Sequence, residues 1–486
     1  MFEFDNSYAR LPENFYERIK PILVKNPKLI RFNKVLAEEI GLDLREDNTK
    51  LGKIFSGNLL MGGSDPIALV YAGHQFGNFV PQLGDGRAVL LGEITNQNGS
   101  RFDIQLKGSG QTSFSRSGDG RAPLGPVIRE YIISEAMHSL NIPTTRSLAM
   151  VSTDELVSRE TLLPGGILTR VASSHLRIGT FEYFAALGDI KNLKLLADYA
   201  IERHYPNAKE SNSYYENFLS LVCDKQASLI AQWMQIGFIH GVMNTDNTSI
   251  SGETIDYGPC AFMDFYDPQT VFSSIDRHGR YAYGNQPNIA QWNLARFSEC
   301  LLPLINDDSN KAISIAEEIL ENFSIKFKKY WLVGMCEKIG LTENIENHHV
   351  LLQELLQLMQ KDKSDFTLTF RYLSDAIKNK SSQFEAQFSS KNEIASWLIK
   401  WRESLEQENK SEGAIKKLML AINPAFIPRN HNVEKAIFEA VNNYDYSYMD
   451  RLNMVLNKPY HYQSGNVEYM NPPKNYNANY QTFCGT

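Results

Sequence analysis

The chain has 486 residues, of which 43% are hydrophobic and 22% are charged, and its formal net charge is −7. This composition predicts a globular protein with a large buried core, and the length allows two or three domains or one large two-lobed domain. The negative net charge argues against a nucleic-acid-binding protein that depends on bulk positive charge, so sites for anions must be sought locally.

The N-terminus and the cysteines bear on the compartment. Residues 1–20 mix acidic and aromatic side chains and lack the basic start and apolar run of a secretory signal. No stretch reaches the roughly eighteen uncharged apolar residues of a membrane helix. The five cysteines form no Cys-x-x-Cys pair, so neither a zinc site nor a disulfide framework is indicated. We therefore expect a cytoplasmic protein that binds neither membranes nor nucleic acid.

The N-terminal residues are predicted to be helical and connecting. Residues 14–20 and 32–40 show apolar residues at three- and four-residue spacing, and Gly41 supplies a stop for the second helix. Residues 57–77 are rich in glycine and end in YAGHQFG. Such glycine density suits a close approach of the backbone to another group.

A glycine turn precedes a strand candidate in residues 82–93. The turn Gly84-Asp85-Gly86 is followed by Arg87 and a run of apolar residues. Its backbone N–H groups and the arginine could contact phosphates, although short glycine hairpins are common and are mostly structural.

The next strand and loop carry further cationic side chains. Residues 101–107 alternate between apolar and polar side chains, which predicts a strand whose polar face ends at Lys107. That lysine is either a surface charge or a cation that holds phosphates. Residues 108–121 combine glycines and hydroxyl side chains with Arg116 and Arg121, which indicates anion binding rather than a flexible linker.

A helix is predicted from Pro126 to about residue 140, because proline suits the first turn of a helix. Glu130 on this helix either lies in solvent or points back at the sheet and pairs with Lys107. Two short strand candidates follow at residues 148–151 and 166–171.

Arg170 and Arg177 bracket the segment after these strands. Each is of a type that commonly forms an ordinary salt bridge, and the pattern by itself assigns neither of them a role.

From about residue 181 the pattern becomes helical, with apolar stripes at residues 183–187, 193–203, 214–236, 312–331, 350–359 and 393–405. Residues 269–291 have little periodicity and are interpreted as a substrate-facing loop. The shift from strands to helices predicts two lobes: a sheet-rich lobe, residues 1–180, and a helical lobe, residues 181–486, with an irregular wrapping tail at its end.

Residues 239–268 carry the acidic and amide groups of most interest. Residues 249–251 and 254–256 are β-favouring runs on either side of a glycine-containing turn, which predicts a hairpin. Such a hairpin would bring Asp246 and Asn247 beside Asp256, so that their oxygen atoms could bind Mg²⁺ or Mn²⁺. The alternative is that Asp and Asn simply favour turns here. The order Asp, Asn, Asp-Tyr-Gly resembles the catalytic loop and Asp-Phe-Gly segment of protein kinases.

Several motifs together resemble, in order and spacing, the selenoprotein-O family of protein adenylyltransferases over nearly the whole chain. They are QFGNFVPQLGDGRAVLLGE, LKGSGQTSFSRSGDGRA, IREYIISEAMHSLNIPTTR, LTRVASSHLRIGTFE, MNTDN, DYGP and NPAFIPRNHNVEKAI. The resemblance implies an α+β, protein-kinase-like fold with a small sheet-rich lobe and a large helical lobe.

The resemblance also implies a role for each matching position. Asp246 matches the proposed base, and Asn247 and Asp256 match the metal ligands, Asp256 also lying at the nucleotide. The other nucleotide-binding matches are Gly84, Gly86, Arg87, Lys107 with its partner Glu130, Asp119, Gly120, Arg170 and Arg177.

The activity implied by the resemblance is transfer of AMP from ATP to Ser, Thr or Tyr hydroxyls of acceptor proteins, with release of pyrophosphate and with Mg²⁺ or Mn²⁺ as cofactor. The alternatives are UMP transfer from UTP, phosphoryl transfer by a true kinase, and a non-catalytic ATP-binding scaffold. Family members carry selenocysteine or cysteine near the C-terminus, a place that Cys484 fits. Some members join this residue to a cysteine after the Asp-Tyr-Gly motif, but residues 269–276 contain no cysteine, which leaves Cys260 as a speculative partner.

Overall fold

The computed structural model describes residues 4–378, 380–474 and 480–482. It is a mixed α/β structure with an antiparallel sheet in the N-terminal part and mainly helices in the C-terminal part. The strands are β1 (Tyr16–Arg18), β2 (Lys28–Phe32), β3 (Ile67–Leu69), β4 (Gly73–Gln75), β5 (Asn78–Val80), β6 (Ala88–Thr95), β7 (Arg101–Lys107), β8 (Ala122–Pro123), β9 (Arg146–Ser158), β10 (Leu162–Ala172), β11 (Phe238–Ile239) and β12 (Ala261–Phe262).

The α-helices are α1 (Lys34–Glu39), α2 (Asn48–Phe55), α3 (Leu124–Ser139), α4 (Ile178–Ala186), α5 (Ile190–His204), α6 (Tyr214–Ile236), α7 (Gln286–Ile305), α8 (Ser309–Lys338), α9 (His349–Asp362), α10 (Phe366–Ala376), α11 (Ser382–Glu385), α12 (Lys391–Leu405), α13 (Glu412–Ile422), α14 (Asn430–Asn442) and α15 (Ser447–Leu456). Short 3₁₀ helices lie at Tyr8–Arg10, Glu13–Phe15, Pro206–Glu210, Thr245–Asn247, Tyr283–Asn285, Ile345–His348 and Ser464–Tyr469.

The main sheet has the strand order β1-β3-β6-β7-β10-β9-β2, and β8 pairs with β10. The alternation predicted for β7 is confirmed: Ile104 and Leu106 pack in a core that also contains residues of α1 and α2. The opposite face of β7 is buried as well, because α3 and α5 bring Glu130 and Arg203 against its polar side chains. Charged residues on this face are therefore held inside the protein and paired.

Most helices agree with the sequence periodicity. The predicted stripe at residues 214–236 is helix α6, and the helix predicted from Pro126 is α3, which begins two residues earlier. The strand candidates at 148–151 and 166–171 lie within the longer strands β9 and β10.

Two local predictions are wrong. Residues 14–20 do not form an α-helix: Phe15 and Tyr16 are buried, and β1 pairs with β3 through Tyr16 and Leu69. The predicted hairpin at residues 249–256 does not form either. Its two runs make isolated bridges to other segments, Ser249 to Arg177 and Thr254 to Thr144, and these long-range partners replace the pairing between the runs.

The helical part contains two large apolar clusters, one around α6 and α7 and one around α8 to α13 that includes Trp397 and Trp401. The described part of the C-terminal segment packs against this body. Met470 accepts hydrogen bonds from the side chain of Arg429, and Thr482 Oγ1 donates to the carbonyl of Pro259. Within the described ranges, no helix combines the length and the apolar character needed to span a membrane.

Candidate active site

A cleft of about 360 Å³ brings together side chains from the sheet and from the segment between α6 and α7. A second pocket of about 260 Å³ adjoins it and shares five of its lining residues with it on the sheet side, together with Asp246. The residues expected from the sequence line these two spaces. Gly86, Arg87, Lys107, Arg170, Arg177, Asp246, Asn247 and Asp256 line the cleft, and Gly84, Asp119 and Gly120 line the adjoining pocket.

Three cations converge on one carboxylate in the cleft. Lys107, the last residue of β7, lies 2.6 Å from Glu130 Oε2 on α3 and 3.2 Å from Asp256 Oδ1. Arg170 on β10 lies 2.6 Å from the same Asp256 oxygen, and Arg177, just before α4, binds the other oxygen. The pairing of Lys107 with Glu130 that the sequence left open is therefore present.

The charge of Asp256 is strongly favoured. Burial raises the pKa of this carboxyl group, but the attraction of Arg177, Arg170 and Lys107 outweighs burial and holds the pKa well below its usual range. Its backbone has φ of +60°, an uncommon conformation for a residue with a side chain, so the contacts around Asp256 must offset this local strain.

A buried chain of hydrogen bonds fixes Arg170. Its Nε donates to Gln105 Oε1 at 3.1 Å, and Gln105 Nε2 in turn donates to Asp85 Oδ2 at 3.0 Å. Burial raises the pKa of Asp85, and the attraction of Arg177 and other nearby cations offsets only part of this rise. Arg177 is held differently, with its guanidinium carbon 4.8 Å from the centre of the Tyr71 ring.

Asp246 lies in the 3₁₀ helix Thr245–Asn247 at the edge of the cleft and is 7% exposed. Its Oδ2 accepts a hydrogen bond from Gln75 Nε2 at 3.2 Å, whereas its buried Oδ1 has no partner among the described residues. Burial raises the pKa of Asp246 to about 6. Arg177 donates to its backbone carbonyl at 2.6 Å, so the loop is tied to the cation cluster. A desolvated carboxylate whose pKa is raised in this way is chemically suited to accept a proton.

The oxygen atoms of Asn247 and Asp256 form the candidate metal site. The Asn247 side-chain nitrogen donates to the carbonyl of Val242 at 3.0 Å, which leaves its amide oxygen for other ligands. In the described part of the chain, no group of three or more His, Cys, Asp and Glu side chains could hold an ion. The candidate set is smaller and mixed, one carboxylate and one amide beside the Asp246 carboxylate, and oxygen donors of this kind suit Mg²⁺ and Mn²⁺.

The two glycine loops pack on each other at the adjoining pocket. Ser115 donates its hydroxyl to the carbonyl of Gly86, and a Cβ on Gly84, which has φ of +82°, would lie 2.4 Å from the Phe114 ring. A Cβ on Gly120 would be 2.1 Å from the backbone of Gly110. Close packing therefore requires glycine at these positions.

Asp119 and Arg87 differ from the buried cluster in their surroundings. The Asp119 carboxylate is paired with Arg159 at 2.9 Å. Burial raises the pKa of Asp119, but the hydrogen bonds from Arg159 and from the backbone of Arg121, with the charge of Arg159, together outweigh burial and lower it. Arg87 lines both spaces, as does Arg116, whose backbone has φ of +53°.

The sequence did not single out Gln75 and Tyr71, which also line the cleft. The available signal was the glycine-rich segment that ends in YAGHQFG, for which close backbone approach was predicted. This prediction is confirmed at Gly73, where a Cβ would lie 2.9 Å from the Asp246 side chain. Cys484 lies outside the described residues, and Cys260, its speculative partner, is buried.

Comparison with known proteins gives consistent matches over the chain. The family model described as "Protein adenylyltransferase SelO" matches residues 1–457. Similar curated proteins, each named "Protein nucleotidyltransferase YdiU", come from Maridesulfovibrio salexigens (58% identical over 484 residues, 99% of this chain and 98% of the relative) and Rhizobium rhizogenes (55% over 486 residues, 99% and 97%). A third, from Rhizobium johnstonii, is 54% identical over 487 residues, 100% of this chain and 97% of the relative.

Proposed function

This chain belongs to the protein adenylyltransferase SelO family, and we propose that it transfers AMP from ATP to Ser, Thr or Tyr hydroxyls of acceptor proteins, releasing pyrophosphate. Enzymatic activity of the nucleotidyltransferase class follows from the family. The hydroxyl acceptors, the metal and the roles of individual residues are the further steps that we propose.

The observation that carries the proposal is the juxtaposition of two kinds of group in one cleft. Lys107, Arg170 and Arg177 supply positive charge that suits a triphosphate, and Asp246 supplies a buried carboxylate oxygen without a partner among the described residues. Nucleotidyl transfer needs both, because negative charge develops on pyrophosphate while a proton leaves the attacking hydroxyl.

In the proposed reaction the acceptor hydroxyl oxygen forms a bond to the α-phosphorus of ATP as the bond to the bridging oxygen of pyrophosphate breaks. The Asp246 carboxylate accepts the hydroxyl proton. Lys107 and the two arginines stabilise the charge on the phosphates, and Glu130 holds Lys107 in place at 2.6 Å. The product is a phosphodiester between AMP and the acceptor side chain.

Mg²⁺ or Mn²⁺ would be held by Asn247 and Asp256 and would neutralise charge on the phosphates. The donor set fits such an ion, because both residues offer oxygen atoms and Asp256 remains ionised. The triphosphate and Asp256 compete for the same three cations. We therefore expect that ATP binding weakens these ion pairs and makes the Asp256 carboxylate more available to a metal.

We also propose a protein-kinase-like arrangement of two lobes, residues 1–180 and 181–486, with the cleft between them. It is supported by the Lys107–Glu130 ion pair between a strand and a helix, and by the order Asp246, Asn247 and Asp256-Tyr257-Gly258 along the chain. The glycine loops that contain Gly84, Gly86 and Arg87 and Asp119 and Gly120 would cover the nucleotide.

Label transfer from differently labelled nucleotides tests the proposal. The full chain is incubated with casein and Mg²⁺ or Mn²⁺, with ATP labelled at the α- or the γ-phosphate or with α-labelled UTP. We expect α-label from ATP on protein, loss of labelling with a chelator, and an AMP mass on Ser, Thr or Tyr by peptide mass spectrometry. Transfer of the γ-label alone would indicate a kinase, and α-label from UTP alone would indicate uridylylation; either result would overturn the proposal.

Two variants connect the activity to the cleft. Asp246→Asn should slow labelling by about 10²- to 10⁴-fold and leave a measurable residual rate. Asp256→Ala should abolish labelling, whereas Asp43→Asn, at an exposed carboxylate that pairs with Arg45, should retain it. ATP binding without any labelling by the unmodified chain would favour the scaffold alternative.

A further inference from the structure

The short hairpin formed by β4 and β5, residues 73–80, stands apart from the main sheet. Its tip is unusual, since Phe76 has φ of +50° and Gly77 has φ of +84°. A phenylalanine in this conformation is strained by roughly 1–3 kcal/mol, so other contacts must hold the tip in place. Those contacts are made with the loop that carries Asp246.

Three consecutive residues of that loop each bind one residue of the hairpin. Phe76 N donates to Asn244 Oδ1 at 3.1 Å, and His74 N donates to Thr245 Oγ1 at 2.7 Å. Gln75 Nε2 donates to Asp246 Oδ2 at 3.2 Å. His74, Gln75 and Phe76 thus each donate one hydrogen bond to the loop.

A second set of side chains, from outside the hairpin and the loop, supports these contacts. Glu182 on α4 accepts hydrogen bonds from Thr245 Oγ1 through one oxygen and contacts His74 Nδ1 through the other. Tyr281 donates its hydroxyl to Asn244 Oδ1 at 2.6 Å, and its ring packs edge-on against Phe76 with centroids 5.1 Å apart. Glu182 and Tyr281 thus each contact both the hairpin and the loop.

We propose that the hairpin 73–80 is the positioning element for Asp246, with Gln75 orienting its carboxylate for proton transfer; this inference rests on the proposed function. Gln75 donates to Oδ2, while Oδ1 is buried beside Gly73 and has no partner among the described residues, so the hairpin contacts both carboxylate oxygens and sets the rotation of the carboxylate. Gly73 completes the arrangement, because a Cβ there would lie 2.9 Å from both Cβ and Oδ1 of Asp246. Gln75 acts through Asp246 and is a positioning residue rather than the base itself.

The alternative is that the hairpin only joins the sheet to the helical part, or that Gln75 binds ATP because it lines the cleft. The three roles make different demands on Gln75→Met, which keeps the length of the side chain and removes its N–H donor. A structural role predicts a lower melting temperature, and an ATP contact predicts weaker nucleotide binding. Positioning of the base predicts a lower kcat with neither of these changes.

The test measures kcat, KM for ATP, affinity for α,β-methylene-ATP and melting temperature in the full chain. We expect Gln75→Met to lower kcat by about tenfold, part of the roughly 10²- to 10⁴-fold effect of a positioned base, with affinity and melting temperature unchanged. The matched control is Gln97→Met, at an exposed glutamine in the turn after β6, which should behave as the unmodified chain. Gly73→Ala should also lower kcat, since the new methyl group displaces the Asp246 carboxylate.

A double-mutant cycle decides whether Gln75 acts through Asp246. In the Asp246→Asn background, Gln75→Met should have no further effect, because the group that it orients has lost its function. An independent tenfold loss in that background, an unchanged kcat in the single variant, or a loss confined to nucleotide affinity would overturn the inference. If the unmodified chain transfers no α-label, the proposed function fails instead, and the two failures are distinguishable.

Discussion

Two of the buried clusters of arginine and carboxylate side chains among the described residues are built in different ways. In the helical part, Arg429 is fully buried between Asp264 and Asp365, and each of its five N–H donors is used, three on the two carboxylates and two on the carbonyl of Met470. In the cleft, by contrast, three cations share Glu130 and Asp256.

The cluster in the cleft differs from the Arg429 cluster because it leaves a hydrogen-bond donor without a partner among the described residues. Arg177 keeps a buried Nε that has no partner among the described residues, and Asp256 is 18% exposed and faces a space that a ligand can enter. A saturated cluster holds segments of the chain together, whereas an excess of cations at an open cleft favours an anionic ligand. The contrast predicts that substitutions in the first cluster change stability and that substitutions in the second change activity.

The largest effect on stability is expected for Arg429→Met. The substitution leaves two buried carboxylates without their cation, and loss of one partner in a buried ion pair costs about 3–5 kcal/mol. Burial already raises the pKa of Asp365 against the opposing attraction of Arg429. Urea denaturation should show the loss. Arg45→Met, at an arginine whose side chain is 88% exposed, is the matched control and should change the free energy of unfolding by less than about 1 kcal/mol.

Lys107→Met should have the opposite profile. Its ammonium group forms ion pairs with Glu130 and Asp256. The substitution removes one of the positive charges expected to stabilise the phosphates in the transition state. We expect kcat/KM for AMP transfer to fall by about 10²–10³-fold, equivalent to about 2.7–4 kcal/mol. The melting temperature should change far less than in Arg429→Met. A large drop in melting temperature together with unchanged activity per folded molecule would contradict the prediction that the cleft cluster serves activity and the Arg429 cluster serves stability.

Lys338 differs from both clusters because it is a buried cation with no ion pair among the described residues. Its ammonium nitrogen lies 4.5 Å and 5.6 Å from the ring centres of Phe370 and Phe366, and burial lowers its pKa from 10.5 to about 7. A buried charge without an ion pair should lower the free energy of unfolding. We expect Lys338→Met to raise the free energy of unfolding by about 2 kcal/mol at pH 7, since each pKa unit corresponds to about 1.36 kcal/mol and the lost ring contacts offset part of the gain.

The gain from Lys338→Met should depend on pH with a defined sign. Below pH 7 the amine is charged in both the folded and the unfolded chain, so the full cost of burial is present. Between about 7 and 10.5 only the unfolded chain stays protonated, so the stability of the unmodified protein rises with pH. The advantage of the variant should therefore shrink toward pH 10.5, and an advantage that is constant with pH would show that packing, not charge, is responsible.

The sequence predicts only some members of the two clusters, because the residues that pair in them often lie far apart along the chain. Local periodicity correctly predicted β7 and α3, which carry Lys107 and Glu130. The resemblance named Arg170, Arg177 and Asp256. The ion pairs that Asp256 forms with the three cations join residues 79 to 149 positions apart, and no local pattern reveals them.

Arg429 lies in one of the motifs that carry the resemblance, but its ion pairs could not be predicted from the sequence because its partners lie 165 and 64 positions away. The hairpin predicted at residues 249–256 failed for the same reason, since its runs bridge to Arg177 and Thr144 rather than to each other. Propensity describes the local chain, and these contacts are decided by tertiary pairing.

The smallest effect is expected at Tyr281, which tests whether the hairpin 73–80 belongs with the cleft or with the scaffold. Its hydroxyl donates to Asn244 Oδ1 at 2.6 Å, while the hydroxyl of Tyr283, two residues on, donates to the carbonyl of Met234 at the same distance. Both tyrosines are buried, so Tyr→Phe removes a comparable hydrogen bond, worth about 1 kcal/mol, at either position. Because only Asn244 leads to Asp246, Tyr281→Phe should lower kcat by up to about fivefold, whereas Tyr283→Phe should lower the melting temperature alone. Equal losses of kcat in the two variants would mean that the loop responds to the general stability of the helical part and not to its contacts with the hairpin.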